Sequence, residues 1–194
     1  MRRRVAALAL LLSAAGCTTV APPAPVGDWQ AREVELQALK AWSLDGRIAV
    51  AAGNEGFSGA FDWVQAGEHT DISIQGPMGS AALEIRIEGE RLTLQARGET
   101  YADDEARAFI GERLGNGNML PVGEMRCWLL GAPAPGRHEV AHGGGRTLAT
   151  LAQSGWQVRY ERYETVGALE LPTRIEMTTE GLRLRVVVAD WKIP

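Results

Sequence analysis

Two cysteines, three histidines and a serine set between glycines are the residues from which a reactive site could be built. Gly56-Phe57-Ser58-Gly59 is one residue short of the elbow that presents a nucleophilic serine, and it leads into a strand pattern where that elbow needs a helix. His138 and His142 are spaced to chelate a metal on one helical turn. Pro135-Gly136 before them and Gly143-Gly144-Gly145 after them argue against that helix, so a surface loop is expected, with no metal. His69 falls in an expected hairpin turn, and the three glycines lack the strand-to-helix context of a phosphate cradle. Cys127 lies in an apolar helical stretch, as a buried and inert thiol. Asp103-Asp104-Glu105 is ordinary capping chemistry at a helix start. No nucleophile–base pair emerges, so no catalytic residue and no cofactor is expected.

Cys17 has a different setting. Arg2, Arg3 and Arg4 open the chain, Val5 to Leu12 is apolar, and Ser13-Ala14-Ala15-Gly16 supplies the small residues that a signal peptidase accepts. The apolar run is far shorter than the roughly 20 residues of a membrane-spanning helix. The pattern resembles the lipobox of bacterial lipoproteins. There the thiol takes a diacylglycerol, the chain is cut just before it, and the new amine is acylated. Ala14 stands where that motif usually has leucine. The resemblance implies that residues 1–16 are a cleaved signal peptide and that Cys17 is lipidated. Thr18 is not acidic, which implies an outer-membrane anchor with the domain facing the periplasm. One acyl chain binds a bilayer only marginally, at roughly 0.8 kcal/mol per methylene, and a triacylated cysteine exceeds what stable anchoring needs.

Cleavage would leave 178 of the 194 residues and, by removing three arginines and no acid, take the formal charge from −4 to −7. Such an acidic domain is a poor ligand for nucleic acid, which is held by neutralised phosphates. Only Cys127 remains besides Cys17, so no disulfide is expected.

Three proline residues, Pro22, Pro23 and Pro25, make residues 17–27 an extended tether, with one monomeric domain over residues 28–194. Asp28 can cap a helix to about Trp42, anchored by Trp29, Leu36, Leu39 and Trp42. The period then changes to two. Leu44, Ile48 and Val50 oppose Asp45 and Arg47; Phe57, Phe61 and Trp63 oppose Ser58 and Asp62. The same alternation returns around Ile72 and Ile74, Leu83 to Ile87, Leu92 and Leu94, Trp156 to Tyr160, Ile175 and Met177, and Leu182 to Val186. Turns such as Glu88-Gly89-Glu90 and Glu180-Gly181 favour hairpin neighbours. Two helices interrupt the series, one after Asp103 carrying Ala106, Phe109, Ile110 and Leu114, and one after Pro121 carrying Val122, Met125, Trp128 and Leu129. Residues 132–146 read as a loop. The expected fold is mainly β: a single curved antiparallel sheet, either a closed and filled barrel or an incomplete one around a cavity.

Gly76-Pro77-Met78-Gly79, between two strands, is a tight turn with an apolar tip. Met78 either folds back onto the core edge or projects as a finger toward a membrane or partner.

Taken in order, these segments resemble the LolB family of outer-membrane lipoprotein receptors, from about Trp42 to Trp191. The resemblance rests on Gly46-Arg47-Ile48-Ala49-Val50, Phe61-Asp62-Trp63-Val64-Gln65, Gly76-Pro77-Met78-Gly79 and Leu120-Pro121-Val122. It continues through Trp128-Leu129-Leu130-Gly131-Ala132-Pro133, Gly155-Trp156-Gln157-Val158, Tyr160, Tyr163 and Leu171-Pro172. It implies an incomplete antiparallel β-barrel with a helical lid over an apolar cavity for lipoprotein acyl chains. The implied partners are LolA, a periplasmic carrier of the same fold, the client lipoproteins, and the outer membrane. Pro77, Met78 and Gly79 would form the membrane-insertion loop, with Met78 in place of the family's usual leucine. The expected cavity wall is Phe61, Trp63, Ile72, Ile74, Leu83, Ile85, Phe109, Trp128, Trp156, Val158, Ile175 and Leu184, although strand alternation alone does not separate lining from core filler. Two other classes stay open. One is a structural lipoprotein docked on a membrane-protein partner; the other, with least support, is a lipid-modifying enzyme.

Overall fold

The computed structural model describes residues 26–76, 83–114 and 120–194; Cys17 and the Pro77-Met78-Gly79 loop lie outside them. The N-terminal helix α1 (Val26–Gln37) is followed by strands β1 (Ala41–Ala52), β2 (Glu55–Ala66), β3 (His69–Gln75), β4 (Leu83–Glu88), β5 (Arg91–Ala96) and β6 (Glu99–Ala102). Helices α2 (Asp103–Leu114) and α3 (Val122–Leu129) come next, and then β7 (Glu139–His142), β8 (Leu148–Gln153), β9 (Trp156–Val166), β10 (Leu169–Thr179) and β11 (Leu182–Lys192). All of these strands join one antiparallel sheet in the order β6-β5-β4-β3-β2-β1-β11-β10-β9-β8-β7. Two meanders therefore meet at the β1–β11 pair, and among the described residues β6 and β7 are the edge strands. The sheet is not closed. Because the chain must pass from one edge to the other, α2 and α3 make the crossing and end up against the inner face.

Alternation explains the sheet's curvature and its two faces. Trp42, Leu44, Ile48, Val50, Phe61, Trp63, Ile72 and Ile74 are buried, and the residues between them are turned outward. Turns at Arg97-Gly98 and Ser154-Gly155 hold both residues at positive φ, the mirror-image turn whose twist matches that of paired strands. The β1–β11 register slips by one residue between Asp45 and Gly46. There the strands approach so closely that a Cβ on Gly46 would sit 2.2 Å from the Val187 carbonyl oxygen.

Several expectations need correction. Helix α1 starts at Val26 and stops at Gln37, so Trp42 is not a helical anchor but a strand residue. Its indole stacks on Trp63 at 5.9 Å and packs against Trp191 at 5.5 Å, which rewards the two-residue period shared with Leu44. His69 begins β3 instead of occupying the turn, and its Nε2 bonds the Asp71 carboxylate at 2.9 Å. Residues 132–146, read as loop, contain β7, while β6 and β8 were not foreseen at all. Four-residue strands such as β6 and β7 are too short to show a period. Asp103 is the first residue of α2, and its Oδ1 accepts the Leu92 N–H of β5 at 3.0 Å.

Packing fixes both ends of the half-barrel. Helix α1 lies on the β7–β10 half: Trp29 meets the His142 ring edge-on at 5.2 Å, and Gln37 donates to the Pro133 carbonyl at 3.0 Å. Buried Arg32 donates to the Glu170 carbonyl, and burial lowers the pKa of its guanidinium. Helix α3 closes with Ala132 N–H to Cys127 C=O and Gly131 N–H to Trp128 C=O, a Schellman motif. Gly131 sits at φ 82°, where a Cβ would also be 3.0 Å from the Pro172 ring. Behind it the Gln153 amide accepts from Trp128 Nε1 at 2.8 Å and Ala134 N–H at 2.9 Å, and donates to Ala134 C=O at 2.8 Å. Tyr160 adds a bond to the Trp128 carbonyl at 3.0 Å. Among the described residues no helix is long and apolar enough to cross a membrane.

Candidate functional site

The inner face of the N-terminal meander encloses a cavity of about 440 Å³. Its floor comes from Ile48 and Val50 of β1, Phe61 and Trp63 of β2, Ile72 and Ile74 of β3, Leu83 and Ile85 of β4, and Leu184 of β11. Every one of these is an inward residue of an alternating strand. Phe109 and Ile110 of α2, with Leu120, Val122 and Met125 at α3, form the opposite wall. Tyr101 of β6 holds α2 there, its ring 4.8 Å from that of Phe109. The mouth opens where the β1–β2 hairpin, the end of β3 and the β5–β6 turn come together, at Glu55, Gly56, Phe57, Ser58, Gly76 and Arg97. Phe57 is 47% exposed, an aromatic ring standing on the rim.

A larger space of about 860 Å³ lies outside this wall, against the β4–β5 turn. Glu90, Arg91, Asp103, Arg107 and Glu124 line it, and it shares Ile110, Leu120 and Val122 with the cavity. Its charged walls make it a hydrated surface cleft, so the smaller space is the apolar site.

Of the expected wall residues, Phe61, Trp63, Ile72, Ile74, Leu83, Ile85, Phe109 and Leu184 are brought together here. Trp128, Trp156, Val158 and Ile175 are not: they are buried in the core of the other half, with the indoles of Trp128 and Trp156 6.2 Å apart. Both groups follow the same strand phase, and only the position of the helices separates them. Sequence reasoning left out Ile48, Val50, Met125 and Val122, which it had placed on apolar faces without assigning them to a cavity. Phe57 was assigned to the inward phase and not to a rim.

The reactive candidates do not assemble. Ser58 is exposed within β2. His138 bonds the Gly136 carbonyl through Nδ1 at 3.0 Å, while His142 packs on Trp29. Cys127 is buried, and burial pushes its thiol pKa up, away from the thiolate. Among the described residues no group of three or more His, Cys, Asp or Glu could hold a metal. What the arrangement can do is take an apolar chain out of water.

Residues 40–191 match the family model described as outer membrane lipoprotein LolB. A protein named outer-membrane lipoprotein LolB from Nitrosococcus oceani is 37% identical over 191 residues, covering 94% of each chain. One of the same name from Pseudomonas aeruginosa is 31% identical, covering 96% of this chain and 92% of its own. Among solved structures, a LolA superfamily protein from Nitrosomonas europaea superposes with a TM-score of 0.54 at 13% identity, over 87% of this chain and 93% of that one; this likeness shows the fold. With the match spanning the whole sheet and its crossing helices, the chain belongs to the outer membrane lipoprotein LolB family.

Proposed function

We propose that this protein is anchored to the outer membrane through lipidated Cys17, faces the periplasm, accepts lipoproteins from a LolA-like carrier, and inserts them into that membrane. The observation that carries this reading is the apolar cavity between the N-terminal strands and α2–α3. A triacyl anchor has on the order of 45 methylenes, and exposing them would cost roughly 35 kcal/mol. The anchor must therefore pass from one apolar space to another. With no nucleotide motif in the sequence, handover runs downhill, toward the tighter cavity. If a methylene occupies about the volume of a water molecule, roughly 30 Å³, the 440 Å³ present holds about one acyl chain. Admitting the rest requires the α2–α3 wall to give way.

The test uses residues 17–194 with Cys17→Ser, mixed with a fluorescent triacylated lipopeptide loaded on the carrier. Transfer in near-equimolar yield is expected. Leu83→Glu places a carboxylate on the cavity wall at a half-buried position, and should weaken lipopeptide uptake about tenfold through the cost of desolvating it. A chain that takes no lipopeptide, but co-purifies in fixed stoichiometry with a membrane protein, would be a structural lipoprotein instead.

A further inference from the structure

Among the described residues, three that are not glycine hold the left-handed backbone region: Asp103 at φ 46°, Ser154 at φ 52° and Arg97 at φ 56°. A residue with a Cβ is disfavoured there, so each instance calls for a reason. Asp103 has one, because its carboxylate accepts the Leu92 N–H, and Ser154 donates to Glu124 at 3.5 Å. Arg97 has no reason of that kind. Among the described residues its guanidinium makes no hydrogen bond and no ion pair. The nearest acid along the chain, Glu99, is taken by the Tyr101 hydroxyl at 2.5 Å. What Arg97 does border is the apolar cavity. Of the residues lining it, only Arg97 and Glu55 are charged, both at the mouth, and they do not pair with each other. Residues 77–82, which follow Gly76 in the chain, include no acidic residue.

A guanidinium is planar, carries only N–H donors and has no acceptor. Set at the lip of a space that takes up hydrocarbon, it faces the groups where the hydrocarbon ends. On a diacylglyceryl cysteine those groups are ester carbonyls, which are acceptors only. Entry of the acyl chains strips water from these carbonyls, and a desolvated carbonyl without a donor is costly. We propose that Arg97 is a specificity-determining residue, donating at the cavity mouth to the ester carbonyls that join a client's acyl chains to its lipidated cysteine. The cavity then prefers chains carried on that linkage to bare hydrocarbon. This deepens the lipoprotein transfer proposed above and rests on it. A diacyl phospholipid presents the same ester carbonyls, and the experiment separates the two sources.

The experiment uses residues 17–194 with Cys17→Ser, alone or together with Arg97→Gly, which suits φ 56° and removes the guanidinium. Three probes are titrated: a fluorescent triacylated lipopeptide, its analogue with ether in place of ester links to glycerol, and a short-chain diacyl phosphatidylcholine. With Arg97 present, the ester lipopeptide should bind about tenfold tighter than the ether analogue, as a hydrogen bond from a charged donor implies. In Arg97→Gly this preference should vanish through loss on the ester side alone, while the melting temperature does not fall. An equal loss for both lipopeptides would make Arg97 a prop for the shape of the mouth and overturn the proposal, as would a preference that survives the substitution. If phosphatidylcholine is the only probe whose binding depends on Arg97, the residue reads membrane lipid instead of cargo, and the proposal also fails. With Arg97 present, a chain that binds both lipopeptides alike sinks only the role of Arg97, whereas one that binds neither sinks the transfer reading.

Discussion

Met78→Glu is expected to leave lipopeptide uptake intact and to slow delivery into vesicles roughly a hundredfold. Pro77 and the flanking glycines leave little apolar surface beside residue 78 to bury it, and the family resemblance gives this position to an apolar finger. An acidic side chain carried toward the bilayer interior costs about 2.5–3.5 kcal/mol, which is the source of the hundredfold figure. Methionine keeps apolar bulk and adds flexibility, so Met78→Leu should deliver as well as the native chain. The measurement is transfer of a quenched lipopeptide from loaded protein into phospholipid vesicles, with uptake followed on the same samples. Loss of uptake instead of delivery would return Met78 to the core edge, and undiminished delivery would remove the finger altogether.

Gln153→Leu is expected to lower the melting temperature by about 10 °C. One buried amide satisfies the Trp128 indole N–H, the Ala134 N–H and the Ala134 carbonyl. Leucine fills the same space but leaves all three groups unpaired, at about 1 kcal/mol each or more. A loss of about 3 kcal/mol in a domain of this size corresponds to roughly 10 °C. The damage should also reach the cavity, because this network holds the end of α3, and α3 carries Val122 and Met125 into the wall. Calorimetry on Gln153→Leu and on Trp128→Phe, which removes only one of the three bonds, separates the network from simple packing: the second change should cost about a third as much. Equal losses would show that indole packing, not the amide, holds this end.

Long strands with one buried face were legible in the sequence because their period is repeated. Val158 and Tyr160 alternate with Gln157 and Arg159 for the same reason that Leu184 and Val186 alternate with Arg183 and Arg185. Short edge strands were not legible. Glu139–His142 offers four residues with only Val140 partly covered, so no pattern exists to find. Trp42 was misassigned because an indole suits the end of a helix as well as a strand, and what decides it is contact with Trp63 and Trp191, both remote in sequence. The cavity wall was half legible for a related reason. Inward orientation is a local property, but whether an inward side chain meets a partner or empty space depends on where α2 and α3 cross, and no strand records that. Ile175 and Leu184 carry the same alternation; one is core and the other is wall.

The strand order has a consequence for how the molecule is made. β1 and β11, separated by most of the chain, are central neighbours, paired from Ser43–Lys192 to Ala52–Leu182. A chain appearing N-terminus first can assemble β1 to β6 as successive hairpins, yet β1 then presents a bare hydrogen-bonding edge and an uncovered apolar face until the last strand arrives. The slow step of folding is thus the arrival of the C-terminal meander, and the half-made sheet is the species most exposed to misassembly with its own copies. A chain proposed to shelter apolar cargo from water thus passes through a stage in which its own apolar face lacks cover.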